Sequence, residues 1–330
     1  MDAVSTTLLR RLEAGLRSAL PRWGVPASAE LTLLNVSENT TFCAEDGSNG
    51  RKLILRIHRP GYHTPAEILS ELAWIAALRA EGVVETPASV PAGDGTLLCR
   101  FEADGQPRHL VAFEHMSGRD PDPSDDLVPW FARLGAITAR LHAHSRRWRK
   151  PGGFTRKTWN CETMLGPAPY WGDWRAAPGL DAPGKAVLER TEARLREELA
   201  AYGMGPERFG LIHADLRLAN LLVDGGRLGV IDFDDCGLGW FAFDFAAAVT
   251  FHEHEPFVPA VRAAWVEGYR RVAPFAIADE RAIDMFLMLR RMQLTAWIAS
   301  HFEAPIAQQL GAGYTLGTVT LAEAYLGGHS

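Results

Sequence analysis

Polar side chains interrupt an apolar stretch at residues 211–235, LIHADLRLANLLVDGGRLGVIDFDD. Three of them could take part in chemistry: Asp215, Asn220 and Asp232. A carboxylate beside apolar strands is costly to desolvate unless a cation or a hydrogen-bond donor meets it. These residues therefore either cap local turns or hold an ion and take part in chemistry.

The glycines of this stretch predict a β-hairpin. LLV, DGGR and LGVIDF spell a strand, a turn and a second strand, which places Asn220 across from Ile231 and next to Asp232. Because side chains alternate along a strand, the two can converge only at a bulge or at the strand ends. A few hard oxygen ligands of this kind suit Mg²⁺, whose other positions are filled by water and phosphate.

Each of these residues also has an ordinary structural interpretation. Asp215 after His213 could be a helix N-cap, and Asn220 could satisfy a turn. Singly, these interpretations are at least as good as a functional one. They explain less well why several features occur in combination, with H-x-D-x-x-x-x-N followed by a strand, a turn and I-D-F.

This compound pattern resembles the catalytic and metal-binding loops of the protein-kinase-like fold. Its particular form, IHADLRLAN…VIDFDDCGLGWFAFDFA, is similar to the aminoglycoside phosphotransferase and choline kinase superfamily. Within that superfamily, the segments LRIHRPGYHT, EILSE and SENTTF resemble the N-lobe of the stress-response kinase group. The resemblance implies an α+β, protein-kinase-like fold with two lobes, a small β-sheet-plus-helix N-lobe and a larger, mainly helical C-lobe.

The resemblance also implies an ATP- and Mg²⁺-dependent phosphotransferase that moves the γ-phosphate of ATP to a hydroxyl acceptor. The favoured acceptor is a small molecule of amino alcohol, sugar, homoserine or aminoglycoside type, and a protein Ser/Thr kinase is the alternative. A pseudokinase that binds nucleotide without turnover is a further alternative. A phosphatase of the haloacid-dehalogenase type is disfavoured, because VIDFDD lies two-thirds along the chain and Cys236 takes its last motif position.

Residue by residue, the resemblance makes Asp215 the catalytic carboxylate, which orients the acceptor hydroxyl and accepts its proton. Asn220 and Asp232 would hold Mg²⁺. His213 would support the loop, and Arg217 would either add positive charge near the transferred phosphate or contact solvent. Ala214 replaces a glycine that is common in the family.

In the N-lobe, Arg56 falls where the family carries its phosphate-binding lysine, and Glu71 falls where the helix partner of that lysine lies. The pseudokinase alternative depends on this arginine alone. Lys52 is a second candidate on the same strand face, but Arg56 is favoured because it lies mid-strand. A polar loop and a hinge segment are expected to supply the other nucleotide contacts: Ser37, Asn39, Phe113, Glu114, His115 and Met116.

Several residues are candidates for acceptor binding. Asp234 and Asp235, with Glu253 and Glu255, could form an acidic wall that suits a polycationic acceptor. The other candidates are exposed aromatic side chains and one late histidine: Tyr170, Trp171, Trp174 and His301. Trp297 shares a helical stripe with Leu294, which favours packing in the core.

Local patterns predict the elements that position these residues. Strands at 31–37 and 51–59 flank a polar, glycine-containing connection, as in a hairpin, and a second strand pair is expected around 96–116. Thr64-Pro65-Ala66-Glu67 predicts a helix start, Gly82 predicts its end, and Glu71 lies on its apolar face. Further helices are expected at 124–145, 183–202, 257–272, 277–302 and 315–327.

From this order of elements we expect a nucleotide-binding lobe at 1–113 and a catalytic and substrate lobe at 114–330. Ligands would lie in the cleft between two such lobes.

Composition limits the remaining classes of function. A net charge of -6, a pI near 6.0 and the lack of a basic run argue against a nucleic-acid partner. The four cysteines lie far apart, which fits neither a disulfide framework nor a zinc site and indicates a reducing compartment. The N-terminal segment is typical of an amphipathic helix, and no stretch is apolar enough to span a membrane. We expect a cytoplasmic monomer or homodimer with no membrane partner.

Overall fold

The computed structural model describes residues 3–36, 39–103, 105–302 and 304–328, and it divides the chain into two units. The sheet unit comprises Met1–Ser117 and Lys150–Thr155. The helical unit comprises Gly118–Arg149 and Arg156–Ser330. The sheet unit contains the residues expected to contact nucleotide, and the helical unit contains those expected to bind metal and acceptor.

Five antiparallel strands form the sheet of the sheet unit. They are β1 (Glu30–Val36), β2 (Asn39–Asp46), β3 (Arg51–His58), β4 (Cys99–Ala103) and β5 (Gln106–Glu114). Their order in the sheet is β1-β2-β3-β5-β4, so that β3 lies at the centre. β3 carries Arg56 opposite Val111 of β5. The strand pair expected around 96–116 is confirmed as β4 and β5.

One expectation for this sheet is wrong. The segment between the strands expected at 31–37 and 51–59 is not a connection, because most of it forms β2, which pairs with both β1 and β3. The sequence TTFCAED buries alternate residues, Phe42 and Ala44 among them, as a half-buried strand does. The polar residues that suggested a loop belong instead to the turn after β2, where Gly50 has a φ of 71°.

Two helices complete the sheet unit, α1 (Ala3–Ala19) and α2 (Pro65–Ala80). α2 begins as the sequence predicts, because the side chains of Thr64 and Glu67 each accept a hydrogen bond from the backbone of the other residue. Leu16 of α1 packs in one apolar core with Leu55 of β3 and Leu110 of β5. This core fixes β3 from one side.

Two short ribbons form the β-structure of the helical unit. β6 (Phe209–Ile212) pairs with β9 (Gly237–Trp240), and β7 (Leu221–Asp224) pairs with β8 (Arg227–Val230). The predicted hairpin is therefore confirmed, and its turn has Gly225 at a φ of 58°. Asp215, Asn220 and Asp232 lie between these strands and outside their paired segments, where side chains need not alternate.

Eight helices form the rest of the helical unit within the part of the chain that the structure describes. They are α3 (Val128–Arg147), α4 (Cys161–Leu165), α5 (Ala182–Tyr202), α6 (Phe243–Ala248), α7 (Val258–Arg270), α8 (Ile277–Arg281), α9 (Ile283–Ser300) and α10 (Pro305–Gly327). The helices expected at 124–145, 183–202 and 257–272 are confirmed as α3, α5 and α7, with ends shifted by a few residues.

Two helix expectations need correction. The single helix expected at 277–302 is interrupted at Ala282, which separates α8 from α9. The helix expected at 315–327 begins much earlier, at Pro305, and bends at Gly311, where φ is 44°. Proline suits the first position of a helix, and glycine tolerates the positive φ of the bend.

Two glycines allow α3 and α7 to pack with their backbones in contact. A Cβ atom on Gly135 would lie 2.0 Å from the carbonyl oxygen of Trp265, and one on Gly268 would lie 1.9 Å from that of Ala132. Any larger residue at either position would force the helices apart.

No helix in the described ranges has both the length and the apolar composition that a membrane crossing requires.

Candidate active site

The loop after β6 is held by a buried carboxylate from α6. Ala214 has a φ of 67°, in the left-handed region that favours glycine. Oδ1 of Asp244 accepts a hydrogen bond from the backbone N–H of Ala214 at 2.7 Å, and Oδ2 accepts one from His213 at 3.3 Å. Nε2 of His142 lies 2.9 Å from Oδ2 of Asp244, and both side chains are fully buried. This arrangement fixes the turn that presents Asp215.

Both ring nitrogens of His213 are engaged. Nδ1 accepts the backbone N–H of Asp215 at 3.3 Å, so the ring proton lies on Nε2, which donates to the carbonyl of Ile231 at 3.2 Å. Burial lowers the pKa of His213 below its usual value. The imidazole is therefore neutral, ties the loop to the end of the hairpin, and has no nitrogen left for proton transfer.

Asp215 is surrounded by donors. Its Oδ1 binds Nη2 of Arg290 at 2.7 Å, and its Oδ2 accepts from Nε of Arg217 at 3.2 Å and from Nδ2 of Asn220 at 2.8 Å. Burial raises the pKa of Asp215, but the two guanidinium groups outweigh it, so that the pKa lies below its usual value. Asp215 is therefore ionised at neutral pH, and its carboxylate is held from two directions.

Asn220 and Asp232 have the donor chemistry that suits Mg²⁺. Nδ2 of Asn220 also donates to the carbonyl of Asp215 at 2.8 Å, while its Oδ1 accepts no hydrogen bond from the residues that the structure describes. The backbone of Ile231 donates to the carbonyl of Asn220 at 2.9 Å, as the predicted hairpin requires. Asp232 then adopts a φ of 60°, which takes its exposed carboxylate out of the strand alternation. An amide oxygen and a carboxylate are hard ligands that fit this ion.

Arg290 was not among the residues predicted for the site. It lies in α9 beside Arg291, in a segment, IDMFLMLRRMQLTAWI, that is apolar on all sides. Two consecutive charges in such a helix require buried partners. The pair of arginines was therefore the feature of the sequence that could have predicted buried ion pairs here. Arg291 pairs with Glu253 at 2.8 Å, with exposed side-chain fractions of 3% and 2%. Glu253 therefore does not contribute to an exposed acidic wall, contrary to one expectation.

In the sheet unit, Arg56 and Glu71 form a buried ion pair. Nη2 of Arg56 lies 2.6 Å from Oε2 of Glu71, with exposed side-chain fractions of 5% and 0%. The guanidinium also lies over the ring of Phe113, 5.1 Å from its centroid. Lys52 instead pairs with Glu45 at the surface. The carboxylate on the apolar face of α2 is thus paired with a cation, and of the two candidates on β3 that cation is Arg56.

The remaining nucleotide candidates lie at the ends of strands in the same unit. Asn39 is buried at the start of β2, where its Oδ1 accepts from the backbone of Arg59 at 3.4 Å. Ser37 lies outside the described residues. Phe113 is buried, Glu114 is exposed with its N–H bonded to the carbonyl of Ala88 at 2.9 Å, and the chain then leaves the sheet. The next two candidates are His115, which is exposed, and Met116, which is half-buried.

The acceptor candidates have different surroundings, and only some of them lie near Asp215. Trp171 is buried, and the guanidinium of Arg290 lies 5.0 Å from its ring centroid, so this indole belongs to the surroundings of Asp215. The indole of Trp174 faces α5, where its Nε1 donates to Glu192 at 3.0 Å. The ring of His301 stacks on Trp297 at 5.1 Å.

The remaining acceptor candidates lie around Trp159 and the segment that follows Asp232. Tyr170 is exposed and packs edge-on against Trp159, whose Nε1 donates to the backbone carbonyl of Asp235 at 2.7 Å. Asp235 is half-buried. The carboxylate of Asp234 is buried, and its backbone carbonyl accepts a hydrogen bond from Arg156. Among the acceptor candidates, the structure therefore links Trp171 to Asp215 through Arg290.

Comparison with known proteins gives matches over most of the chain. Residues 31–283 match the profile of the phosphotransferase enzyme family, APH. The solved structure of a microcompartment-associated aminopropanol kinase is 45% identical, with 94% of this chain and 96% of that chain covered and a TM-score of 0.87. An uncharacterised protein of Deinococcus radiodurans is 32% identical over 79% of this chain and 75% of its own. Amicoumacin kinase of Bacillus subtilis is 23% identical, with 88% and 86% covered.

Proposed function

Because the chain belongs to the phosphotransferase enzyme family and is an ATP-dependent kinase acting on a hydroxyl group of a small molecule, we propose that its acceptor is a short amino alcohol. The family expected from residues 211–246 and the protein-kinase-like fold are confirmed. The narrower likeness to the stress-response kinase group stays a prediction.

One observation carries the choice of acceptor. The aminopropanol kinase is 45% identical to this chain, and the match covers nearly the full length of both. Sugars, homoserine and aminoglycosides stay as alternatives that the experiment below distinguishes.

In the proposed reaction Asp215 orients the acceptor. The acceptor oxygen forms a bond to the γ-phosphorus of ATP while the bond from that phosphorus to the β–γ bridging oxygen breaks, and ADP leaves with that electron pair. The hydroxyl proton passes to the carboxylate of Asp215. Its low pKa makes Asp215 a weak base, which suits a loose transition state that needs positioning more than basicity.

We propose that Asn220 and Asp232 hold Mg²⁺, which supplies charge neutralisation at the phosphates when it is bound. Support comes from the Oδ1 of Asn220, which no described residue engages, and from the exposed carboxylate of Asp232. Arg217 lies against Asp215 and would add positive charge near the transferred group.

On the sheet unit we propose that Arg56 binds ATP phosphate in place of a lysine. Its ion pair with Glu71 and its contact with Phe113 fix the guanidinium, and a fixed guanidinium can hold two phosphate oxygens at once. Ser37 and Asn39 would contact the phosphates, and residues 113–116 would contact the base. The proposal also includes a cytoplasmic location, where ATP is available and the free cysteines stay reduced.

The test is an acceptor screen with the purified protein. ADP release would be followed with ATP and Mg²⁺ and with aminopropanol isomers, ethanolamine, choline, homoserine, a sugar, an aminoglycoside and a protein substrate. Turnover is expected to be fastest with the aminopropanols and to fall to a small residual rate in Asp215→Asn. Faster turnover of any other class would replace the proposed acceptor, and ATP binding without turnover of any of them would favour the pseudokinase alternative.

A further inference from the structure

Arg290 is held rigidly inside the helical unit, and only 2% of its side chain is exposed. Its Nε donates to Oγ1 of Thr250 at 3.0 Å, and its Nη1 donates to Oε1 of Gln293 at 3.2 Å. The ring of Trp171 covers the guanidinium at 5.0 Å. Because Nε, Nη1 and one face of the guanidinium are all in contact with other side chains, the group cannot rotate, and Nη2 points in a fixed direction. In that direction lies Oδ1 of Asp215, at 2.7 Å.

The hydrogen bonds of Asp215 show which of its oxygens can take a substrate. A carboxylate has about four acceptor positions, two on each oxygen. Oδ2 uses both of its positions, on Arg217 and Asn220. Oδ1 uses one, on Arg290, and no other residue in the described part of the chain occupies the second. An incoming hydroxyl therefore finds its acceptor position on the oxygen that Arg290 holds.

We propose that Arg290 is a positioning residue for phosphotransfer, which holds Oδ1 of Asp215 so that the second acceptor position of that oxygen meets the hydroxyl of the acceptor. This role rests on the proposed function of Asp215 but not on the identity of the acceptor. The loop that carries Asp215 is fixed at its backbone by Asp244, whereas the carboxylate itself depends on side chains. Among these, Arg290 comes from a helix and is the most deeply buried cation.

The neighbouring Arg291 provides a matched control. It lies in the same helix, is equally buried, and forms an ion pair of similar length, 2.8 Å, but its partner is Glu253. It also donates to Oγ1 of Thr318 and to the carbonyl of Tyr314. Lysine at either position should therefore weaken packing and stability to a similar degree. Only lysine at position 290 should change the geometry of Asp215.

The experiment compares Arg290→Lys with Arg291→Lys by steady-state kinetics and thermal unfolding. Misplacing a reacting group by about 1 Å can cost about 100-fold, so we expect kcat of Arg290→Lys to fall by about that factor. The KM for ATP should change little, and Arg291→Lys should keep a kcat close to wild type. Equal losses of kcat in the two variants would show a merely structural role and would overturn the inference.

A double variant tests whether Arg290 acts through Asp215. If it does, Asp215→Asn with Arg290→Lys should be no slower than Asp215→Asn alone, because the group that Arg290 positions is already lost. Additive losses would mean that Arg290 acts by another route, contrary to the inference.

A structural measurement separates this inference from the proposed function. In a crystal structure of Arg290→Met, we expect the carboxylate of Asp215 to rotate away from its present orientation. An unmoved Oδ1 would overturn the role of Arg290 whichever acceptor is correct. A wild-type protein that turns over none of the amino alcohols would overturn the proposed acceptor. The orientation of Asp215 in the Arg290→Met structure would test the role of Arg290 independently of that result.

Discussion

The ion pair between Arg56 and Glu71 gives a prediction in which stability and function can be separated. Glu71→Gln keeps the size of the side chain and removes its charge. The arginine is then left with 5% of its side chain exposed and no carboxylate at 2.6 Å. Removing one partner of a buried pair typically costs about 3–5 kcal/mol. Because the glutamine oxygen can still accept a hydrogen bond, we expect about 3 kcal/mol, the lower end of that range.

The expected loss can be measured as a change in melting temperature. For a protein domain of this size class, about 1 kcal/mol corresponds to a shift of about 2–4 °C, so Glu71→Gln should melt about 6–12 °C below wild type. The double variant Arg56→Met with Glu71→Leu should recover most of this loss, since apolar side chains of similar volume often replace a buried pair without cost.

ATP kinetics then report on the function of the pair. The double variant should remain folded but lose the proposed phosphate contact, which should lower kcat/KM for ATP by about 10–100-fold, the value of one hydrogen bond to a charged group. Thermal unfolding and ADP release would be measured on the same preparations. Two results would refute the reasoning: a melting temperature of Glu71→Gln equal to wild type, or a stable double variant with unchanged ATP kinetics.

Three further predictions concern the helical unit. Asp232→Ala should lose Mg²⁺-dependent ATP binding in calorimetric titration, and binding that ignores both the ion and the substitution would contradict the proposed ligand. Burial lowers the pKa of His142 and of His213, so below about 6.5 the unfolded chain binds more protons than the folded one. The contribution of these two histidines to the free energy of unfolding is therefore fully present above that pH and should fall as the pH drops from about 7 to about 5. A melting temperature that stays constant over this range would contradict the prediction. Gly135→Ala should destabilise by at least about 2 kcal/mol, because its Cβ would lie 2.0 Å from a backbone oxygen of α7. Gly313→Ala, mid-helix with nothing in the described structure within 4 Å of the added Cβ, should instead stabilise by up to about 1 kcal/mol, and similar melting shifts for both would refute the packing argument.

The sequence by itself determined the features that depend on neighbouring residues. The start of α2 is set by Thr64 and Glu67, three residues apart, and the turn of the hairpin is set by Gly225. The order of Asp215, Asn220 and Asp232 around that hairpin was sufficient to indicate the family. Capping, turn formation and strand alternation act over a few residues, so they can be inferred from local sequence.

Only the tertiary structure decided which distant groups meet. Arg290 lies 75 residues after Asp215, and no periodic pattern connects them. The sequence offered two cations on one face of β3, Lys52 and Arg56, and the tertiary structure pairs Arg56 with Glu71 of α2 and Lys52 with Glu45. β2 was mistaken for a loop because the polar residues of the next turn concealed its alternation. Each of these outcomes depends on contacts between segments far apart in the chain, where burial rather than local propensity determines the partner.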